Sequence, residues 1–378
     1  MKCSISRWNR CSNQWKSWEE IKLRRNRFST QRAATLVVLL LAAAACGTGG
    51  TATTAIGGAA TTAAGGAATT QPSEPMVINA IHGSSLDFIH LVGLAAFEIL
   101  EEEGYTVENS FAQEAETAVQ ALVQGDAQVA VNLGVNVGVP AVDAGANIVD
   151  VVATQRPTWA LAARPEFETM EDLEGARIGV HGEASFTRAV SIFFAEQYGY
   201  TYEELIIPGS DVRAEAIARG ELDASVIDLP DVVLLEETFP DSFHILQTIG
   251  EQFPELIEAD VWLDAGWAEA NPEVATDVVR AFVQAARKMT EDTDYSLALA
   301  TEHLPDMGEE VLRRLVEEYS SRGIWPQDGL INQERAQITL EFFQEVGEID
   351  IETPITEETV ARYFDFSYLE AALQELDG

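Results

Sequence analysis

The stretch Met170-Glu-Asp-Leu-Glu-Gly-Ala-Arg-Ile-Gly-Val-His-Gly-Glu-Ala-Ser-Phe-Thr-Arg188, followed through Gly220-Glu-Leu-Asp-Ala224 to Asp228-Leu-Pro230, decides the fold class. Arg177 to Val180 is a short extended run that His181-Gly182 breaks. From Phe186, apolar residues recur at Ala189, Val190, Phe193 and Phe194, the three-and-four spacing of a buried helical stripe. The spacing predicts a strand, a tight turn and a helix whose free N–H groups face whatever lies beyond the carboxyl end of the strand. A second unit follows, with Leu205 to Pro208 as strand, Val212 to Arg219 as helix and Gly220 as its stop. Ala224 to Leu229 makes a third strand that delivers Asp228 to the same edge.

The first unit upstream has the same grammar. Met76 to Ile81 reads as a buried strand ended by His82-Gly83-Ser84-Ser85, Phe88 to Glu103 as a helix stopped by Gly104, and Tyr105 to Phe111 as the next strand. Ala115 to Gln124 is then a helix, and Gln128 to Leu133 a strand arriving at Asn132. This β-α-β-α-β order predicts a parallel, doubly wound α/β sheet. The two units also match in detail: Ile81-His82-Gly83 with Ser85 parallels Val180-His181-Gly182 with Ser185, and Asp126-Ala127 parallels Asp223-Ala224. They predict two similar lobes. A first crossing between them falls in Ile148 to Ala163, around Arg156-Pro157-Thr158-Trp159, and a second around Ile257 to Leu263. Beyond Asn271-Pro272 the chain is helical and amphipathic: Glu273 to Thr290, Tyr295 to His303, Glu309 to Tyr319 and Gln333 to Val346.

Charge is unevenly placed. Of 23 basic and 62 acidic residues, positions 1–45 hold nine and two, which leaves 14 basic against 60 acidic for the rest. Lys288 is the only lysine after Lys22. Such a surface repels nucleic acid and suits a protein kept soluble in concentrated salt. Cys3, Cys11 and Cys46 are all N-terminal, so no disulfide, thiolate metal site or cysteine nucleophile is expected in the folded part.

Lys22, Arg24, Arg25, Arg27 and Arg32 precede a nearly continuous apolar run, Ala33 to Ala45, in the pattern of a secretory signal. Cys46 directly after Ala43-Ala44-Ala45 resembles a bacterial lipoprotein cleavage site, with Ala43 where that site usually has Leu. The resemblance implies lipidation of Cys46. Residues 47–75, mostly Gly, Ala and Thr up to Pro72-Ser-Glu-Pro75, cannot bury a core and read as a tether.

Met170-Glu-Asp-Leu-Glu-Gly-Ala-Arg-Ile-Gly-Val180, Ala216-Ile-Ala-Arg-Gly-Glu-Leu-Asp-Ala224, Asn271-Pro-Glu-Val274 and Phe366-Ser-Tyr-Leu-Glu-Ala371 together resemble the substrate-binding proteins of bacterial ABC importers, of the nitrate, sulfonate and thiamine-precursor group. The likeness spans roughly residues 76–378. It implies a two-lobed periplasmic-binding-protein-like fold with two doubly wound sheets joined by two hinge crossings. Residues 76–158 and 260–378 would form lobe 1, and 159–259 lobe 2. It further implies an extracytoplasmic monomer, lipid-anchored at the cell membrane, that passes a small molecule to permease and ATPase subunits.

The cleft is expected at the carboxyl ends of strands from both lobes. Candidate ligand contacts are His82, Ser84, Ser85, Asp87 and Asn132 from the first, and His181, Gly182, Glu183, Ser185, Thr187 and Asp228 from the second. Ser85, Asp87 and Ser185 serve equally as helix caps. Arg156 and Trp159, at the crossover, are placed to clamp and stack a ligand. His82 and His181 sit in no ligand-spaced cluster, so no metal is expected, and no cofactor. Glu183, at a helix start, opposes an anion and favours a neutral or weakly cationic heteroaromatic molecule such as a vitamin precursor. A sulfonate or nitrate ligand, or a sensory surface role without transport, is the alternative. Relatives that make a thiamine pyrimidine use an active-site lysine with cysteine and histidine. Here only Lys288 and no cysteine after Cys46 remain, so an enzyme is not expected.

Overall fold

Two five-stranded sheets are built from strands whose polarity dictates their place. The computed structural model describes residues 75–183 and 185–378; the signal region 1–46 with Cys46, and the tether to residue 74, lie outside the described residues. The first sheet takes β1 (Val77–His82), β2 (Thr106–Phe111), β3 (Val129–Leu133), β4 (Ile148–Gln155) and β10 (Ala259–Asp264), in the order β2-β1-β3-β10-β4. The second takes β5 (Ala160–Ala163), β6 (Ala176–Val180), β7 (Tyr202–Ile206), β8 (Ala224–Ile227) and β9 (His244–Thr248), in the order β7-β6-β8-β5-β9. Strands covered on both faces are apolar runs, as in Ala224–Ile227, where all four residues are buried. The outer strands β2 and β7 carry Glu108 and Asn109, and Glu203 and Glu204, on largely exposed backbones. Charges there blunt the unpaired edge.

In each sheet one strand runs against the other four. β10 is antiparallel to both β3 and β4, and β5 to both β8 and β9. These are the strands that the chain enters directly after passing from one sheet to the other: β5 follows the short link 156–159, and β10 follows 249–258. A strand arriving from the opposite sheet enters at the facing edge, so the carboxyl ends of the parallel strands of both sheets point at the crossings. The sheets are therefore mixed rather than uniformly parallel. The apolar run Val261-Trp-Leu263, expected in the second crossing, is strand β10, and the chain crosses just upstream of it. Ile148–Gln155 and Ala160–Ala163 likewise belong to the sheets themselves.

The helices follow the sequence pattern closely. They are α1 (Leu91–Glu102), after a short 3-10 turn Phe88–His90, α2 (Ala115–Gln124), α3 (Val135–Asp143), α4 (Phe186–Tyr198), α5 (Ser210–Ala218), α6 (Leu229–Thr238), α7 (Ile249–Gln252), α8 (Ala265–Ala270), α9 (Pro272–Glu291), α10 (Thr293–His303), α11 (Glu309–Ser321), α12 (Gln333–Glu345), α13 (Glu357–Val360) and α14 (Ser367–Asp377). The short α7, α8 and α13 were not expected, nor were α3 and α6: Pro140 lies inside α3, and α6 begins directly at the end of a strand. α9 is the spine of the first half. Its Ala275, Val278, Val279, Phe282, Val283, Ala286 and Met289 form one buried stripe against α1 and α14. A buried side chain of Val or Phe size there contributes about 1.5–3 kcal/mol. No helix among the described residues is long and apolar enough to cross a membrane.

Candidate functional site

In both sheets the first helical crossover goes one way and the second the other, so the chain reverses beside β1 and β6. That is where an open α/β sheet leaves a crevice. On the first side, Asp87 caps the turn Phe88–His90: its carboxylate accepts from the Phe88 N–H at 2.6 Å, and Phe88 packs edge-on to Tyr319 of α11 with ring centroids 4.8 Å apart. On the second side, Asp228 follows β8 and caps α6, accepting from the Leu229 N–H at 2.8 Å. Its own N–H donates to Ser210 Oγ at 2.9 Å. The crossings lie between. The Thr158 hydroxyl donates to Asp228, and Glu258, in the second crossing, accepts from the Thr158 N–H at 3.0 Å, from Gln155 Nε2 at 3.1 Å and from Trp159 Nε1.

The result is a cluster of acids at the junction of the halves. Asp228, Asp231 and Glu258 are buried and Asp87 is half-buried. Burial first, then mutual repulsion, pushes their carboxyl groups upward. Asp228 and Asp231 rise to about 7, each further raised by Asp87, and Glu258 is held well above the ordinary range with Asp228 adding to the effect. Burial also raises Asp87, while its bond from Phe88 opposes the rise. The fully buried Tyr319 hydroxyl lies beside these acids, near Thr158, and makes no hydrogen bond of normal geometry. One cation stands behind the cluster. Arg213, wholly buried, donates to Ser225 Oγ and to the carbonyls of Ile207, Gly209 and Val226, and so braces the 207–209 loop and the end of β8 rather than pairing with a carboxylate. Such a site offers acceptors, and near neutral pH a few acidic protons, to a ligand rich in donors.

Of the residues expected at the cleft, Asp87, Trp159 and Asp228 are brought together. The others do different work. His82 is fully buried, stacked on Phe111 at 4.5 Å and edge-on to His90 at 4.9 Å, with neither ring nitrogen hydrogen-bonded; burial pushes it down to about 2, so it stays neutral. Ser84 bonds His90 Nε2 at 3.1 Å, and Ser85 is exposed. Asn132, at φ 58°, ties the end of β3 to Ile89 and Thr154. His181 is exposed and accepts from the Gly209 N–H, so the two histidines do not meet. Ser185 and Thr187 are buried in their own turn, Ser185 accepting from the N–H groups of Gly182 and Arg188, and Thr187 from that of His181.

Glu183 is exposed, as a routine helix-start acid is, so its side chain favours no particular ligand charge. Arg156 does not join the acids; its Nε donates to the Gly323 carbonyl at 3.2 Å and its guanidinium lies 3.8 Å from Asp328. Lys288 holds its ammonium 3.7 Å over the Tyr295 ring. Among the described residues, no group of three or more His, Cys, Asp or Glu is placed to hold a metal ion.

Sequence reasoning missed Asp231, Glu258, Thr158 and Tyr319. Glu258 had a signal, as a lone acid in the apolar run Leu256-Ile-Glu-Ala259. The stripe Leu312, Leu315, Val316 and Tyr319 reads only as core. A further buried pair, Asp150 on β4 and Asp260 on β10, is raised by burial at both, with repulsion from Asp260 raising Asp150 further.

Solved structures with this architecture include solute-binding proteins. A nitrate-binding protein from Synechocystis PCC 6803 aligns over 80% of this chain and 90% of its own at 11% identity, with a TM-score of 0.64. A zinc-bound ligand-binding component of an ABC-type import system from Staphylococcus aureus covers 79% and 99% at 13% identity, TM-score 0.63. The periplasmic aliphatic sulphonate binding protein of Escherichia coli covers 77% and 92% at 17% identity, TM-score 0.61. These likenesses establish the periplasmic-binding-protein fold. No curated protein matches the sequence at a significant level. A family model described as NMT1/THI5 like matches residues 100–295.

Proposed function

The chain belongs to the NMT1/THI5-like family, and from that premise we propose that it is the extracytoplasmic substrate-binding component of an ABC importer. It captures a small organic molecule between two lobes, 76–158 with 260–378 against 159–259, and delivers it to permease and ATPase subunits. It acts as a binder and not as an enzyme. Lobes hinged by two short crossings bury a ligand from both sides, and closure is what a permease reads. Lipidation at Cys46 and a flexible tether complete this reading by holding a monomer at the membrane.

The observation that carries the ligand assignment is the junction of Asp87, Asp228, Asp231 and Glu258 with the unpaired Tyr319 hydroxyl. Negative potential and acceptor oxygens favour a cation or an amino-substituted heterocycle, such as an aminopyrimidine vitamin precursor, with Trp159 beside it for stacking. A sulfonate or nitrate would enter against four carboxyl groups and is the weaker candidate. Native mass spectrometry of the full chain against aminopyrimidines, flavins, aliphatic amines, sulfonates and nitrate tests this. Retention of an amino heterocycle or amine supports it, whereas retention of sulfonate or nitrate alone overturns the ligand class, and no retention counts against the importer role.

A further inference from the structure

Outside the cleft, a hollow of about 560 Å³ is lined by Arg156, Arg287 and Arg322 together with Trp325, Asp328 and Glu291. Three guanidiniums at one place are unusual in a chain with 14 basic and 60 acidic residues after Ala45. The pairing of these arginines is more unusual. Among the described residues, ion pairs run up to 3.2 Å except for two, Arg156 with Asp328 at 3.8 Å and Arg322 with Glu318 at 3.5 Å, and both arginines line this hollow. With carboxylates in such excess, two guanidiniums left loosely paired in one concavity have donors to spare. Their partners are weak holds: the Asp328 side chain is 69% exposed and the Glu318 side chain 38% exposed, so water screens both pairs.

Arg287 has a different part. Its Nε donates to the Gln327 carbonyl at 2.9 Å and its two terminal nitrogens grip Asp377, so it fixes the wall and adds positive potential without offering a free fork. We propose that this hollow is an oxyanion site, taking inorganic phosphate or a small phosphate-bearing molecule between Arg156 and Arg322. The planar fork of arginine matches the oxygen spacing of a tetrahedral oxyanion, which makes phosphate or sulfate a better fit than chloride.

The position gives the site a consequence. Arg156 opens the first crossing, two residues before Thr158, and its backbone N–H already donates to the Ile324 carbonyl. Trp325, at the wall, packs at 5.1 Å on Tyr319 of the acid cluster. A bound oxyanion therefore clamps the crossing to the segment that backs the cleft.

Calorimetric titration of the full chain with inorganic phosphate, and then with sulfate, at constant ionic strength tests the proposal. Saturable binding is expected, weakened about tenfold or more in Arg156→Gln/Arg322→Gln and unchanged in Arg313→Gln, whose side chain pairs with Glu309 elsewhere on α11. Arg322→Gln alone removes a half-exposed side chain with one long partner, so it keeps the fold and lowers affinity about threefold, which makes the test independent of the double variant. Absence of phosphate and sulfate binding in the wild-type chain, or unaltered affinity in Arg322→Gln, overturns it.

Discussion

The turns after β1 and β6 share the letters Ile/Val-His-Gly and a serine three or four residues past the histidine, yet they end in opposite chemistry. After β1 the histidine is swallowed by Phe111, Phe97 and His90, and the acid further on, Asp87, is what reaches the junction. After β6 the histidine is exposed and Ser185 and Thr187 are consumed in holding their own turn. The charged group of the second half comes instead from the end of β8, at Asp228. A shared motif thus fixes a backbone course, while burial decides which side chain is left to act.

The largest expected effect tests that contrast at the histidines. His82→Ala opens a cavity among aromatic rings and should lower unfolding free energy by about 2–4 kcal/mol, measured by urea denaturation, whereas His181→Ala should stay within about 0.5 kcal/mol. Equal losses would erase the distinction. Next come the acids. Asp87→Asn and Asp228→Asn should each weaken the cleft ligand about 10- to 100-fold by titration calorimetry, because each removes a charge-assisted acceptor, while Glu183→Gln leaves affinity unchanged.

A smaller effect follows from protonation. Asp228 and Asp231 carry folded-state values of about 7, above the unfolded value near 4, so between those limits the native state binds more protons than the unfolded chain. Their stabilising contribution is complete below about pH 4 and is lost as pH rises through 7. The difference in stability between the wild-type chain and Asp228→Asn should therefore shift by about 2 kcal/mol between pH 5 and 8, in favour of the variant at the higher pH. A flat difference would show that Asp228 is not held protonated. Smallest is the cap of the second turn, where Ser185→Ala should cost about 1 kcal/mol and leave ligand affinity intact.

How much of this was legible without coordinates differs between backbone and site. Strands and helices announced themselves because apolar spacing and glycine stops are local: Gly125 and Gly199 stand in left-handed conformation where their helices end, at φ 75° in both. The antiparallel strands were not legible, because β10 earns its direction from where the chain has just been, and Val261-Trp-Leu263 looks the same in a link or a strand. The site was half legible. Asp228 sits at a strand end and Asp87 at a helix start, both of which the pattern marks. Glu258 and Tyr319 reach the junction only through packing of segments 30 and 91 residues along the chain from Asp228, Asp231 sits three residues past Asp228 on a helix the pattern did not mark, and Arg156 diverges from Trp159 because alternate residues of an extended link face opposite ways.

The central claim is that the junction selects against anions. It is tested most directly by measuring the thermal unfolding midpoint of the full chain at pH 8 with an aminopyrimidine and, in parallel, with an alkyl sulfonate of similar size. The account predicts that the amino heterocycle raises the midpoint in a saturable way, that Asp228→Asn removes most of that rise, and that the sulfonate does nothing through the cleft. A saturable rise with the sulfonate that is strengthened by Asp228→Asn, with none from the amino heterocycle, would contradict it.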